Sequence, residues 1–288
     1  MDLRNLGIAY EENVPMSART TFKIGGAAAL ILLPENAGQV ARCLRACEEA
    51  PFILGSGSNL LVKDSGLAQP VISTEKLHGI SLEGERIHCG AGAKLSEVCI
   101  FAQKNGLAGL EFAYGIPGSA GGAAFMNAGA YGGEMKNVLQ QIEYADPAGE
   151  LRIILSEDAA LGYRHSIFME TGGAITGITL RLHPGNPAEI KAKMQETLQK
   201  RRDKQPLEYP SAGSVFKRPK GQFAGALIQR CGLKGKSVGG AQVSEKHAGF
   251  IVNTGGAKAA DVRALIVLVQ AVVEQETGVR LVPEIKFV

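Results

Sequence analysis

The chain has no excess of charge of either sign. Its 31 lysines and arginines stand against 28 aspartates and glutamates, a net charge of +3 over 288 residues. Such a balance does not supply the positive field that nucleic acid or an anionic membrane surface selects, so neither is expected as a partner. Tryptophan is absent, and so is any paired cysteine motif: Cys43, Cys47, Cys89, Cys99 and Cys231 are an odd set without a CxxC. With His78, His88, His165, His183 and His247 scattered along the chain, neither a disulfide framework nor a metal site is expected. Long apolar runs are missing too. The most apolar late stretch, Ala264 to Val273, is broken by Gln270 and is far short of a bilayer span. The N-terminal MDLRNLGIAYEENVP carries acidic residues and no apolar segment of the secretory kind. A protein of the reducing cytoplasm is the expectation.

What the chain does have is glycine, 37 residues of it, in a composition that is 45% hydrophobic and 20% charged and therefore globular. Glycine in surplus marks special backbone angles or a main chain pressed against a ligand. Here it concentrates in Gly55-Ser-Gly-Ser-Asn59 and in residues 106 to 135, where no helical or strand period can be followed. Elsewhere the periodicity predicts strands at Ala28–Leu33, Pro51–Leu54, Val71–Ser73, Arg86–Cys89 and Ala174–Leu182. It predicts helices at Asn36–Glu49, Lys94–Asn105 and Lys258–Thr277, and one that Asn186 caps and Pro187 opens. Asp146-Pro-Ala-Gly149 reads as the turn of a hairpin between Val138–Tyr144 and Leu151–Leu155. The cluster His183-Pro-Gly-Asn-Pro187 is the best boundary signal. Mixed helices and strands without regular alternation give an α+β fold.

Gly55-Ser-Gly-Ser-Asn59 follows a strand, and its amides and hydroxyls suit a phosphate; by itself it fits a tight glycine turn as well as a phosphate cradle. It is neither a GxGxxG opening a helix nor a Walker loop, because the lysine is missing. A second cluster, Gly115-Ile-Pro-Gly-Ser-Ala-Gly-Gly122, changes the weighting. Two glycine–serine loops are able to grip both phosphates of a dinucleotide.

Five segments then occur in a fixed order: GSGSNLL at 55 to 61, GIPGSAGGAAFMNAGAYGGE at 115 to 134, Tyr163-Arg-His-Ser-Ile-Phe168, Gly213-Ser-Val-Phe-Lys-Arg-Pro219 and Pro283-Glu-Ile285. The set resembles the UDP-N-acetylenolpyruvoylglucosamine reductases, flavoenzymes of bacterial cell-wall precursor synthesis, from about Thr21-Phe-Lys-Ile-Gly-Gly26 to the last residue. The resemblance implies a two-part FAD-binding unit of the PCMH flavoprotein type, residues 1–75 and 76–185, and a smaller α+β substrate-binding domain at 186–288. It implies non-covalent FAD, NADPH as reductant, and UDP-N-acetylenolpyruvoylglucosamine as the substrate reduced to UDP-N-acetylmuramate, with no obligate protein partner.

By the same resemblance FAD is held by Gly55, Ser56, Gly57, Ser58, Asn59 and Leu60 and by Gly118, Ser119, Ala120, Gly121 and Gly122. Arg164 matches the carboxylate-stabilising arginine, Ser214 the proton donor, and Glu284 the glutamate that aids charge stabilisation. Hydride addition to an enol ether conjugated to a carboxylate builds up negative charge, which calls for a fixed cation and a proton donor. Tyr163, Ser166, Lys204, Lys217 and Arg218 are implied contacts of a UDP-sugar. His247 is read as a hydrogen-bonded structural residue rather than a ligand. Local sequence alone offers bland alternatives: a surface ion pair for Arg164, a turn hydroxyl for Ser214, a solvated carboxylate for Glu284. Two features depart from the family. Thr20 stands where an asparagine is usual, and Gly172 follows Phe168 by four residues, without the tyrosine-bearing insertion of one branch. The rival readings are a PCMH-type flavin oxidase of an alcohol or sugar and a silent nucleotide-sugar binding protein.

Overall fold

The computed structural model describes residues 2–288. The chain forms two compact units, each assembled from separate stretches. The first comprises Met1–Glu12, Leu30–Ser56 and Gln69–Lys200, and the second Asn13–Ala29, Gly57–Ala68 and Arg201–Val288. Three of the crossings between the units fall inside regular elements, two strands and a helix, where composition gives no sign of a break.

Strands β1 (Tyr10–Pro15) and β2 (Ala27–Leu32) lead from one stretch to the next. Helix α1 (Ala37–Ala46) follows, opened by Asn36, whose side chain accepts from the Gln39 amide at 3.0 Å. With β3 (Phe52–Leu54) and β4 (Val71–Ser73) the strands order β1-β2-β4-β3, and both β2 and β3 run parallel to β4. The main sheet of the first unit contains β5 (Ile80–Glu83), β6 (Arg86–Gly90), β7 (Leu139–Ala145), β8 (Leu151–Leu155) and β9 (Ala174–Arg181). It is antiparallel throughout, in the order β8-β7-β9-β6-β5. The β7–β8 hairpin turns where Asp146 accepts from the Gly149 and Glu150 amides. Central β9 is buried along seven of its eight residues, so its run AITGITL is apolar or small on both faces. Helices α2 (Leu95–Lys104) and α3 (Ala120–Phe125) pack here, and Val40, Leu95, Val98, Ile142 and Ile178 meet in one core.

Helix α4 (Pro187–Lys204) opens with Pro187, and the Asn186 side chain accepts from the Ala188 amide at 2.9 Å. The second unit then builds an antiparallel sheet from β10 (Ser211–Ser214), β11 (Ser237–Val238), β12 (Ala241–Val243) and β13 (Phe250–Asn253), in the order β10-β13-β12-β11. It adds helices α5 (Ala224–Arg230) and α6 (Ala259–Thr277). Gly278, at φ 70°, ends α6 in the left-handed conformation of a helix stop. Phe22, Ile24 and Leu61 share this unit's core with Val262, Leu265, Ile266 and Ile285. Leu60–Leu61 pairs in parallel with Lys286–Phe287, and both Asp64 carboxylate oxygens accept from the first amides of α6, Ala259 and Ala260, at 2.8 and 3.0 Å. Among the described residues no helix is long and apolar enough to cross a membrane, and no three histidine, cysteine or acidic side chains gather as metal ligands.

Candidate active site

In the first unit the start of the first glycine–serine loop, Gly55, meets Ser119 of the second. A Cβ on Gly55 would stand 2.9 Å from the Ser119 hydroxyl oxygen, so only a bare main chain fits there. The second loop is clamped by the segment leading into α2: Leu95 donates to Gly118, Ala120 to Ala93 and Gly121 to Ala91. Ser119 is buried and caps α3 by accepting from the Gly122 amide. Helix α3 therefore starts against Ala91, and a Cβ on Gly121 would lie 2.6 Å from that of Ala91. The approach of two loops rich in small residues, with no acidic residue in 55–60 or 115–124, suits the diphosphate of FAD. The first amides of α3 itself are already committed to protein acceptors, so the remaining loop amides and hydroxyls are the donors left for phosphate.

Arg164 sits on a tight turn of the same unit. Gly162 and His165 exchange both backbone hydrogen bonds, at 3.1 and 3.2 Å, and between them Arg164 adopts φ +53°. A non-glycine residue in that region is held there by its surroundings, and such positions gather at functional sites. Its guanidinium donates to the Gly129 carbonyl at 3.0 Å and lies 5.2 Å from the centre of the Tyr163 ring. Tyr163 is half exposed. Ser166 is fully buried, and its hydroxyl donates to the Phe125 carbonyl at 2.6 Å, tying the turn to the last residue of α3.

In the second unit, residues far apart in sequence come onto neighbouring strands. Glu284 donates its amide to Val215 at 2.7 Å, Lys217 donates to Val282 at 2.8 Å, and Phe216 bridges Pro283. Glu284 is thereby placed against Val215, the residue that follows Ser214 at the end of β10. Gly213, at φ +78°, marks the register irregularity that turns Ser214 out, and the Ser214 hydroxyl makes one long contact, 3.4 Å, to the Phe216 carbonyl. The Asn59 side chain donates to the Glu284 carbonyl at 3.3 Å, which brings the end of the first loop to this cluster. A Cβ on Gly249 would come within 3.5 Å of the Ser214 hydroxyl and 2.9 Å of His247, so this glycine keeps the serine's flank open. Lys286 adds a cation, its ammonium lowered below the ordinary lysine value by burial and then by neighbouring Lys217. Arg218 stacks on Phe223 at 4.5 Å, and Lys204 is exposed at the end of α4.

Comparison with known proteins decides the family. Residues 205–288 match the C-terminal domain of UDP-N-acetylenolpyruvoylglucosamine reductase, and residues 28–154 match an FAD-binding domain. The UDP-N-acetylenolpyruvoylglucosamine reductase of Clostridium perfringens is 48% identical over 291 residues, covering 98% of this chain and 96% of the relative. The chain belongs to the UDP-N-acetylenolpyruvoylglucosamine reductase family. The reductase of Geobacillus thermodenitrificans is likewise 48% identical, over 288 residues, covering 98% of this chain and 95% of the relative. Among solved structures the enzyme of Thermus caldophilus superposes with a TM-score of 0.84 at 36% identity, covering 97% of this chain and 98% of that one. As a member of this family the chain is an FAD-dependent oxidoreductase, and its α+β fold carries the PCMH-type FAD-binding domain.

Within this reductase fold the sequence-derived residues fall into two sets. Gly55, Ser56, Gly118, Ser119, Ala120, Gly121, Gly122, Tyr163, Arg164 and Ser166 belong to the first unit; Gly57, Ser58, Asn59, Leu60, Lys204, Ser214, Lys217, Arg218 and Glu284 to the second. Gly57 is fixed by packing, since a Cβ there would meet the Arg19 carbonyl oxygen at 2.1 Å. Sequence reasoning passed over Lys286, Gly249 and Asn127. Lys286 was visible, two residues past Glu284. Asn127 lies within the 115–134 motif, and Gly249 carries no local signal; the partners that give each its part, Gly162 and Ser214, meet it only on folding.

Proposed function

We propose that the chain catalyses the NADPH-dependent reduction of UDP-N-acetylenolpyruvoylglucosamine to UDP-N-acetylmuramate, with non-covalent FAD, in the cytoplasm as part of bacterial peptidoglycan precursor synthesis. The flavin-binding part corresponds in this reading to residues 1–75 and 76–185, and the substrate-binding part to 186–288. FAD, when bound, supplies the two-electron relay between the nicotinamide and the enolpyruvyl double bond. Gly55 to Leu60 and Gly118 to Gly122 would line its diphosphate, with the loop amides and serine hydroxyls that the protein leaves uncommitted as the donors. Arg164 stabilises the negative charge that collects on the substrate's enolate-like carboxylate, a task suited to a side chain that is always protonated and offers a planar pair of donors. Ser214 delivers the proton to the carbon bearing the carboxylate. Glu284 assists the charge shift from the neighbouring strand. Lys204, Lys217, Arg218 and Tyr163 bind the UDP-sugar, and Ser166 acts beneath the Arg164 turn.

The observation that best supports this reading is the pairing of residues 215–217 with 282–284, which brings the segment carrying Glu284 against the one that follows the sparsely bonded Ser214 hydroxyl, with Lys217 in it and Lys286 near Lys217. The test is an anaerobic two-step absorbance experiment. NADPH is expected to bleach the flavin band, and the enolpyruvyl substrate to restore it without oxygen. Recovery on admitting air alone would move the activity to an oxidase, and a flavin that never bleaches would end the NADPH-dependent reading. Ser214→Ala is expected to leave bleaching intact and slow the recovery by about 100- to 10,000-fold, the range for a general acid. Equal slowing of both steps would refute its role as proton donor.

A further inference from the structure

The carboxylate-stabilising role of Arg164, proposed above, raises the question of what holds this residue in its left-handed turn. Asn127 is fully buried, just past the end of α3, and itself adopts φ +39°. Every polar atom of its side chain is engaged. Nδ2 donates to the Gly162 carbonyl at 2.9 Å and to Glu134 Oε2 at 2.8 Å, while Oδ1 accepts from the Lys136 amide at 2.9 Å. The Gly162 carbonyl is the one that accepts from His165 to close the Arg164 turn. Glu134 ends the short ribbon in which Gly129–Ala130 pairs with Gly133–Glu134, and Gly129 accepts from the Arg164 guanidinium. One buried amide thus grips both ends of the arginine: the turn that carries its backbone and the ribbon that receives its side chain.

We propose that Asn127 is a positioning residue for the reduction, acting through Arg164, and that it couples the arginine to the glycine–serine loop through α3. Helix α3 is capped at its start by Ser119 and meets the turn at its end twice, through Ser166 on Phe125 and through Asn127 on Gly162. The inference rests on the assignment of Arg164 to the substrate carboxylate. Asparagine is well placed by chemistry. It tolerates the left-handed backbone better than most side chains and offers two donors and an acceptor. Aspartate keeps the shape but turns a carboxylate oxygen toward both Gly162 O and Glu134, where a donor is required.

The variant Asn127→Gly tolerates the left-handed backbone and removes the side chain with its three hydrogen bonds. In the FAD-loaded enzyme it is expected to be bleached by NADPH at the wild-type rate. Re-oxidation by the enolpyruvyl substrate is expected to slow by on the order of 100-fold, the scale of an ångström's misplacement of a reacting group. Combined with Arg164→Ala it should add nothing to the slowing that Arg164→Ala produces alone. Asn127→Asp is expected to match Asn127→Gly in the same assay and serves as the second variant should the glycine form lose its flavin. Wild-type re-oxidation in N127G and N127D, equal slowing of both steps, or effects that multiply with those of Arg164→Ala would each overturn the proposal. An Arg164→Ala enzyme that re-oxidises normally would instead sink the assignment of the arginine, a result separable from any failure at Asn127.

Discussion

Replacing Gly121 by alanine sets two opposed effects against each other. The residue lies in the first turn of α3 with an ordinary helical backbone, so alanine gains about 1 kcal/mol of helix propensity over glycine. Its methyl group, however, would arrive 2.6 Å from the Cβ of Ala91 and 3.1 Å from that residue's Cα and carbonyl oxygen. Ala91 has nowhere to retreat: it is buried, accepts from Gly121 at 2.8 Å and donates to Thr176 on central β9 at 3.0 Å. Overpacking of this kind costs about 1–3 kcal/mol, and a contact more than half an ångström short against anchored backbone belongs at the upper end. The expected net loss is about 1–2 kcal/mol, which at ~2–4 °C per kcal/mol lowers the melting temperature by several degrees. Pushing α3 outward also displaces Ser119 from Gly55, so FAD should bind roughly tenfold more weakly, ~1.4 kcal/mol. Thermal unfolding and flavin titration of Gly121→Ala check both. The companion change Ala91→Gly vacates the contested space and should restore most of the loss in the double variant. A single Gly121→Ala enzyme more stable than wild type, or a double variant no better than the single, would refute the packing argument.

Two further outcomes are expected. Burial pushes the thiols of Cys43 and Cys89 to about 12 and that of Cys99 higher still, and raises Cys47 to a lesser degree, so a thiol reagent on the native protein should label Cys231 first and Cys47 slowly. Mass spectrometry showing rapid labelling of Cys43, Cys89 or Cys99 would contradict the burial of these three thiols. Burial also lowers the His247 imidazole below its ordinary value, with Lys234 adding a smaller push, while Nδ1 accepts from the Gly249 amide at 3.1 Å. The unfolded chain therefore binds a proton that the folded one refuses, so this contribution to stability is complete above pH ~6.5 and is lost as pH falls through the window below it. His247→Asn retains an acceptor for Gly249 without the charge, and its loss of stability between pH 7.5 and 5.5 should be smaller than that of the wild type.

Much of the fold was legible where its elements obey their own periods. The helix expected at 94–105 forms at Leu95–Lys104, the last helix expected at 258–277 forms at Ala259–Thr277, and the Asp146–Gly149 hairpin turns where its residues call for a turn. Strand β1 escaped notice since YEENVP is mostly polar and mostly exposed, which hides any alternation. The strands of the second unit are two to four residues long, too short for a period of two to register. Helix α3 was hidden inside a run of alanine and glycine, where the Ser119 cap and the contact with Ala91, not hydrophobic spacing, define the element. Site residues were read off motifs, and motifs report neighbours in sequence. Asn127 lies inside the 115–134 motif, but its part there shows only once Gly162 and the Arg164 turn have folded against it.

The piecemeal make-up of the second unit has a consequence for the chain as it leaves the ribosome. Phe22, Ile24 and Leu61 are synthesised early, yet the core they enter also needs Val262, Leu265 and Ile285. Lys63 likewise waits for the carbonyl of Val288. At about 5–20 residues per second, roughly 13 to 53 seconds separate the first partners from the last. For that interval segments 13–29 and 57–68, interleaved with the stretches of the first unit and carrying Phe22, Ile24 and Leu61, wait without these core partners. Those two segments are where a chaperone would have most to shield, and synonymous codon changes that slow translation beyond residue 200 should lower soluble yield more than the same changes placed earlier.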